Sequence, residues 1–425
     1  MNDSPDAPFD VLVRGGRVVD PATGVEGMVD VGVVGDRIAA VGPNLPAGRT
    51  TTVVDAVGQV VTPGLVDLHT HLFAHAAGFG VDVDDAGVNA GVTTAVDMGS
   101  TGTWHFPTFK AYVIDRAVTD VVAFLMMGWA GTMWQLGGPS VLNPDWADAQ
   151  SLATMHEQYP SLVRGFKTWG ESGTTSQWGY RFLDMGLEAG NLTGLPLYIH
   201  TGELWGVDES NRPDPATIMP DVLARARAGD VLGHCYSSMP DGILGSAEKP
   251  SSELLDAIDA GVRLDVGHGI NFSFDTAKRM MDGGVLPYTI SSDTHGFLTR
   301  MHDDTTCSYS LVGTMSKLMA LGMTLPDVVE CATSRPATVL AKEDEIGTLR
   351  VGSRADITVM EPRREPWTFV DPGGDTLDAH ERLVPITVVR AGRVLVPTGR
   401  LLRDVLEPHE RGEAGLEIAV GGRPR

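Results

Sequence analysis

Hydrophobic and polar residues follow two different patterns along the chain. In residues 9–60, and again from about residue 347 to residue 396, β-branched residues alternate with polar ones in short runs that glycine and aspartate interrupt. Such runs are typical of short β-strands joined by tight turns. Two β-rich ends around a different middle favour one β-sandwich assembled from both termini, with two unrelated hairpins as the alternative.

The middle of the chain alternates apolar runs with segments of helical character. The runs that we interpret as strands are residues 65–69, 92–98, 120–127, 163–169, 195–200, 230–235, 262–267 and 288–293. Strands that alternate with helices pair in parallel, and eight such units predict an α/β fold of the closed (β/α)8 TIM barrel type. An open doubly wound sheet is the alternative, but no GxGxxG motif follows any strand. The predicted domains are the barrel of residues 61–343 and a composite β-sandwich domain of residues 1–60 and 344–425.

The charge of the chain limits its partners. A net charge of −23 repels nucleic-acid phosphates and anionic lipids, so we expect neither as a partner. No apolar stretch approaches the roughly 18 residues that a membrane span needs, and the N-terminus MNDSPDAPFD lacks the features of a signal peptide. The three cysteines are odd in number and widely spaced, which argues against a disulfide framework. We expect a cytoplasmic protein that acts on a small molecule and forms a homo-oligomer.

Polar residues capable of binding a metal stand where the predicted barrel strands end. His69 and His71 follow strand one in the sequence LHTH, and residues two apart on a strand point to the same side. Further candidates lie at the ends of strands four, five, six and eight: Lys167, His200, His234 and Asp293. Each residue alone has an ordinary structural explanation. All of them together at the active end of a barrel indicate a metal site, because imidazole and carboxylate bind Zn²⁺ and similar divalent ions.

This order of residues resembles the amidohydrolase superfamily in its two-metal, lysine-bridged form. The sequence VVTPGLVDLHTH resembles the segment by which the family's chains enter the barrel, and GTLRVGSRADITVM resembles the segment by which they leave it. The resemblance implies that the two histidines after strand one and Asp293 hold a buried ion. It also implies that the histidines after strands five and six hold a more exposed ion, and that Lys167, as an N-carboxylated lysine, bridges both. Zinc is the metal that we expect.

The reaction that the resemblance implies is hydrolysis. Two ions roughly 3.5–4 Å apart can share a bridging water and lower its pKa towards neutrality. The resulting hydroxide would attack a carbonyl group. Asp293 would accept the proton of the water and pass it to the leaving group. The expected substrates therefore contain an amide, an ester or a related bond.

The substrate class is narrowed by residues around the ligands. Dihydroorotases of the superfamily commonly carry an arginine two residues after His-x-His, where this chain has Phe73, and neither Leu72 nor Phe73 matches the D-aminoacylase sequence HTHDD. The blocks DVGHGINFSFDTAKRMMDGG, TISSDTHG and TMSKLMALGM resemble a deacetylase group instead, which implies deacylation of a small α-substituted carboxylate.

The alternatives are a cyclic amidase of hydantoinase or dihydroorotase type, a non-catalytic scaffold of the same fold and a one-metal deaminase. Lys167 argues against the deaminase, since deaminases usually lack the bridging lysine.

Three residues are weaker candidates for substrate binding. They are His268 after strand seven, His295 after Asp293, and Trp169 at the end of strand four. A loop histidine bonded to the backbone and an aromatic residue packed in the core are the plain alternatives. We interpret Cys235, beside His234, as a core residue, because no suitably placed base accompanies it.

Overall fold

The computed structural model describes residues 8–76, 80–132, 143–296 and 310–398. Its N-terminal part consists of short strands: β1 (Val11–Arg14), β2 (Arg17–Asp20), β3 (Val25–Met28), β4 (Asp30–Val34), β5 (Arg37–Gly42), β6 (Thr52–Asp55) and β7 (Val60–Pro63). β1 lies between β4 and β6 in a four-stranded sheet, and β5 pairs with β4 at its edge. β2, β3 and β7 belong to a second sheet.

Seven parallel strands form the central sheet. They are β8 (Leu65–Thr70), β9 (Val92–Met98), β10 (Asp120–Met126), β11 (Val163–Trp169), β12 (Leu197–His200), β13 (Val231–Gly233) and β14 (Arg263–Leu264). Their order in the sheet is their order in the sequence. The parallel α/β arrangement predicted for the middle of the chain is therefore confirmed, and the fold is similar to a TIM barrel. Because parallel neighbours all run the same way, their carboxyl ends meet at one edge.

The eighth predicted strand, residues 288–293, is not a regular strand. Isolated parallel bridges attach this segment to both edges of the central sheet: Asp265–Thr289 and Thr70–Thr294. The Asp293 N–H also donates to the His69 carbonyl at 2.8 Å. The segment thus occupies the position of an eighth barrel strand without forming a continuous ladder. β13 and β14 are also shorter than the predicted strands 230–235 and 262–267.

The C-terminal part also consists of strands: β15 (Ile357–Arg363), β16 (Trp367–Val370), β17 (Thr376–Ala379), β18 (Arg382–Arg390) and β19 (Arg393–Leu395). Of these, β15, β18 and β19 join the second N-terminal sheet. The six-stranded order is β19-β18-β15-β7-β2-β3, so strands from both ends of the described chain share one sheet. β16 and β17 form a separate hairpin. A cluster of buried aliphatic residues, including Val13, Val61 and Ile357, packs strands from both ends together.

The helices of the described residues connect the barrel strands and follow them. They are α1 (Val83–Ala86), α2 (Phe106–Tyr112), α3 (Ala149–Gln158), α4 (Ser172–Trp178), α5 (Arg181–Thr193), α6 (Pro215–Leu223), α7 (Ser252–Asp259), α8 (Phe274–Asp282), α9 (Leu311–Ala320), α10 (Leu325–Ala332) and α11 (Ser334–Val339). Asp148, Ser251 and Ser273 cap α3, α7 and α8 by accepting a backbone N–H of the first turn. Among the described residues, none of the helices has the length and apolar character needed to cross a membrane. Residues 1–7 and 399–425 of the predicted composite domain lie outside the described residues.

Candidate metal centre

The His-x-His pair at the end of β8 faces Asp293. His69 Nε2 and His71 Nε2 lie 3.3 Å and 3.4 Å from Asp293 Oδ1, and all three side chains are buried. One ligand atom from each residue fits within 4.8 Å of the others, which makes these residues a group that could hold a metal ion. The pairing of β8 with β9 shifts register between Asp67 and Thr70, and such irregularities re-aim side chains next to active sites.

Two further histidines adjoin this group from β12 and from the loop after β13. The rings of His200 and His234 are 4.3 Å apart, and the rings of His234 and His69 are 5.2 Å apart. His234 Nδ1 donates to the Gly267 carbonyl at 2.6 Å, and His200 Nε2 donates to the Gly202 carbonyl at 3.0 Å. Because a neutral imidazole has one N–H and one lone pair, the lone pairs are on His234 Nε2 and His200 Nδ1.

Lys167 on β11 is buried beside the histidines. Its Nζ lies 4.2 Å from the centre of the Tyr198 ring. Burial lowers the pKa of Lys167 to about 7, although the negative charges of Asp293 and Asp265 oppose the shift. The amine can therefore lose its proton near neutral pH, which an exposed lysine does not do.

The histidines of the centre are held in their neutral form. Burial, with the positive charge of Lys167 as the second cause, lowers the pKa of His71 to about 3. Burial also lowers the pKa of His234 to about 4, and it places the pKa values of His69 and His200 well below the usual range. Neutral imidazoles keep the lone pair that a metal ligand requires.

Three buried polar atoms of the centre suit a cation. Lys167 Nζ, His234 Nε2 and Asp293 Oδ1 make no hydrogen bond to the described residues. A buried polar group without a partner is costly, so native proteins rarely keep several in one place unless a ligand satisfies them. Lone pairs, a carboxylate oxygen and a deprotonatable amine form a donor set that fits divalent metal ions. The structure thus brings together all six residues predicted as ligands.

Two buried carboxylates that the pattern of ligand residues did not indicate support the centre. Asp67 accepts hydrogen bonds from the backbone N–H and the hydroxyl of Ser292, at 3.0 Å and 2.6 Å. Asp265 accepts the hydroxyl of Tyr198 at 2.7 Å, and this hydroxyl also lies 2.9 Å from His69 Nδ1. A signal was available in the sequence YIH, since Tyr198 stands two residues before His200 and shares its side of β12.

The weaker candidates have different surroundings. His295 Nε2 lies 3.9 Å from Asp293 Oδ2, so this histidine adjoins the centre. His268 instead stacks on Phe272, with ring centres 4.6 Å apart, and its Nε2 lies 2.9 Å from the buried Lys317 Nζ.

Trp169 is buried and its ring lies edge-on to Phe182, with 6.3 Å between the ring centres. Cys235 is buried, and burial raises the pKa of its thiol well above the usual range, as expected of a core residue.

The fold and this group of side chains are those of a barrel enzyme whose candidate metal ligands stand at the carboxyl ends of parallel strands. The family model described as "Amidohydrolase family" matches residues 250–395. A protein named "Deacetylase Atu3266" from Agrobacterium fabrum is 31% identical over 81% of this chain and 81% of its own length. The chain therefore belongs to the amidohydrolase family and is a hydrolytic enzyme.

Other relatives carry several names. A "Deacetylase" from Enterococcus faecalis is 27% identical over 91% of this chain and 99% of its own length. A crystal structure of a dihydroorotase has a TM-score of 0.77 at 28% identity, with 91% of this chain and 99% of that chain covered. A crystal structure of an adenine deaminase has a TM-score of 0.79 at 26% identity, with 91% of this chain and 100% of that chain covered. The family is thus clear, while the names of its members span more than one reaction.

Proposed function

We propose that this enzyme removes an acyl group from a small α-substituted carboxylate, by hydrolysing an amide or an ester with the help of two divalent metal ions. The observation that carries the proposal is that six buried side chains able to bind a metal converge on one place. Three of their polar atoms make no hydrogen bond to the described residues. The names of relatives with 31% and 30% identity, both called deacetylases, support the choice of reaction.

The ligand roles follow from which atoms face each other. His69, His71 and Asp293 would hold one ion, because both Nε2 atoms lie within 3.4 Å of the same carboxylate oxygen. His200 and His234 would hold the other through the nitrogens that do not bond to carbonyls. When bound, the two ions, most simply Zn²⁺, would lower the pKa of a water molecule and polarise the carbonyl group of the substrate.

Lys167 is the proposed bridge between the two ions. A protonated lysine has no lone pair and would repel cations. Burial brings its pKa to about 7, so a free amine is accessible near neutral pH. That neutral amine can add to CO₂ and release one proton, which leaves a carbamate anion with two oxygen donors.

Asp293 is the proposed proton carrier. Its Oδ1 faces the histidines, and Oδ2 points towards Gly269, where any Cβ would overlap it. A carboxylate confined in this way can take the proton of the attacking water and give it to the leaving amine or alcohol. Among the weaker candidates, His295 is the better placed to contact the substrate because it adjoins Asp293. We retain His268 and Trp169 as candidates for the outer part of the pocket.

A cyclic amidase is the second candidate function. It is favoured by the similarity to a dihydroorotase structure at 28% identity. Phe73 argues against it: this residue stands where dihydroorotases commonly carry arginine, and it is buried with its ring 5.1 Å from that of Phe109. A packed aromatic residue cannot supply the charge that binds a substrate carboxylate.

We also propose that residues 1–60 and 344–425 form one composite β-sandwich domain and residues 61–343 the catalytic barrel. The shared six-stranded sheet and its aliphatic core support this division. A cytoplasmic location and a homo-oligomeric state stay predictions.

The proposed function is tested by a metal analysis combined with a substrate panel. Purified protein would be assayed with N-acetyl amino acids and O-acetyl α-hydroxy acids in both enantiomers, with cyclic amides, and with adenine. We expect about two zinc ions per chain and turnover of acylated acids, both abolished by chelation. Turnover of cyclic amides alone would favour the second candidate. A protein without bound metal or turnover after zinc loading would support a non-catalytic scaffold.

A further inference from the structure

Tyr198 connects the candidate metal centre to a buried carboxylate beneath it. The side chain is fully buried on β12 and shares a strand face with His200. Its hydroxyl lies 2.9 Å from His69 Nδ1 and 2.7 Å from Asp265 Oδ2. The face of its ring lies against Lys167 Nζ, 4.2 Å from the ring centre. One residue therefore touches two of the six candidate ligands.

The direction of the hydrogen bonds is determined by Asp265. This buried carboxylate faces three hydroxyls, those of Thr289, Ser291 and Tyr198. In its ionised form this carboxylate accepts hydrogen bonds and donates none, so each hydroxyl donates a hydrogen bond to it. A tyrosine hydroxyl has one hydrogen to donate, and Tyr198 directs it at Asp265. Towards His69 the hydroxyl can therefore only accept.

This hydrogen-bond direction determines the tautomer of His69. If the Tyr198 oxygen accepts, His69 Nδ1 must carry the ring proton, and the lone pair must be on Nε2. That nitrogen is the one that lies 3.3 Å from Asp293 Oδ1. The lone pair is thus directed into the group that could hold the ion, and not away from it.

Glycines fix the position of the tyrosine. A Cβ at Gly233 would overlap the Tyr198 ring, and a Cβ at Gly267 would lie 3.0 Å from its hydroxyl oxygen. The ring is therefore enclosed by backbone that leaves it little room to move. The hydroxyl is held where it meets both His69 and Asp265.

We propose that Tyr198, held by Asp265, is a positioning residue that fixes His69 in the Nδ1-protonated tautomer and so directs Nε2 at the metal. The inference rests on the proposed metal role of His69. Partners that fix the tautomer of a histidine ligand typically change metal affinity by about 10–100-fold. Tyr198 also presents its ring to Lys167, which the Tyr→Phe substitution leaves in place.

The test compares Tyr198→Phe with Tyr236→Phe. Tyr236 is also fully buried, but its hydroxyl makes no hydrogen bond to the described residues. Zinc affinity would be measured by competition with a chelator of known affinity. We expect the weaker of the two bound ions, or both, to lose about 10–100-fold in affinity in Tyr198→Phe, and no change in Tyr236→Phe.

A second measurement uses the metal-free protein. Nitrogen-15 NMR of histidine-labelled protein reports which ring nitrogen carries the proton, and the His69 signals are assigned by their loss in His69→Gln. We expect wild-type His69 to be Nδ1-protonated and Tyr198→Phe to give a mixture of tautomers. An Nε2-protonated His69 in the wild type would overturn the proposal, as would unchanged zinc affinity in a folded Tyr198→Phe. If the wild type binds no zinc but shows the expected tautomer, the proposed function fails and the hydrogen-bond assignment stands.

Discussion

Asp293 has a backbone conformation that most residues avoid. Its φ of 50° lies in the left-handed region, as does the φ of 61° at His234. Such conformations cost of order 1–3 kcal/mol and concentrate at functional sites. Two candidate ligands with this conformation therefore indicate that the positions of their side chains matter more than local stability.

Replacing Asp293 by asparagine separates the proton-carrying role from the fold. Asparagine tolerates the left-handed region as well as aspartate does, so the free energy of unfolding of the metal-free protein should change little. The amide cannot accept the proton of an attacking water, and we expect kcat to fall about 10²–10⁴-fold. Steady-state kinetics and urea unfolding of the same preparation measure both effects. Activity within twofold of the wild type would contradict the role.

Lys167→Ala tests the carbamate bridge. We expect loss of bound metal and of activity, because the substitution removes the anion that would join the two ions. Small carboxylic acids such as acetate or propionate should restore part of both, since their carboxylate can occupy the space that the side chain leaves. Metal content by mass spectrometry and activity across an acid titration give the result. The control is Lys110→Ala. This substitution removes a lysine of α2 that forms an ion pair with Asp115. Full metal content in Lys167→Ala would contradict the bridge.

At the scale of the residue, the sequence predicted the side chains that differ in polarity from their neighbours. All six candidate ligands are polar side chains that interrupt apolar runs, and such interruptions are visible in a pattern. Tyr198 and Asp265 were missed because an aromatic residue in an apolar run and an aspartate near a turn are ordinary. Their contacts join β12 to the loop after β14, which spacing along the chain does not encode.

At the scale of the element, the middle strands were predicted better than the last ones. β9 and β11 have the predicted limits, whereas β14 keeps only Arg263–Leu264 of the predicted 262–267. The apolar pattern continues through the predicted strands 262–267 and 288–293. Hydrogen bonds to side-chain carboxylates, however, replace part of the strand-to-strand backbone hydrogen bonds there. Asp67 bonds to Ser292, and Asp265 bonds to Thr289 and Ser291. Burial alone therefore does not distinguish a strand from a segment tied down by buried polar groups.

Asp67 is expected to hold the irregular eighth segment in place. Asp67→Ala leaves the Ser292 backbone N–H and hydroxyl without this acceptor, at a cost of about 1–3 kcal/mol in the free energy of unfolding. Asp67→Asn is the matched control, because its amide oxygen can still accept the N–H and its NH₂ can donate to the hydroxyl. Urea unfolding of the two variants measures the difference. Equal stability of Asp67→Ala and the wild type would mean that the hydrogen bonds contribute nothing net.

At the scale of the whole molecule, the two chain ends depend on each other. β7 has β2 on one side and β15 on the other, and Val61 packs in the same cluster as Ile357 and Val359. β7 also leads directly into β8, whose end carries His69 and the start of the candidate metal centre. The alternating runs at both ends predicted strands, but the pairing of strands some 300 residues apart left no local signal.

This dependence predicts how fragments of the chain behave. A fragment of residues 1–343 lacks β15 and exposes β7 as a sheet edge, so we expect it to be insoluble or free of metal. Co-expression with a fragment of residues 344–425 should restore a soluble, zinc-containing complex, because each buried valine or isoleucine contributes about 1.5–3 kcal/mol to the association. Size-exclusion chromatography and metal analysis of the purified complex measure the outcome.

The control for complementation is the same C-terminal fragment carrying Ile357→Asp. Ile357 is fully buried and pairs with Pro63 of β7, so a charge at this position opposes docking without shortening the fragment. We expect no complex with this variant. A soluble, monodisperse fragment of residues 1–343 with a full complement of zinc would contradict the dependence. In that case the barrel folds without the C-terminal strands, and the candidate metal centre needs only the packing that residues 1–343 provide.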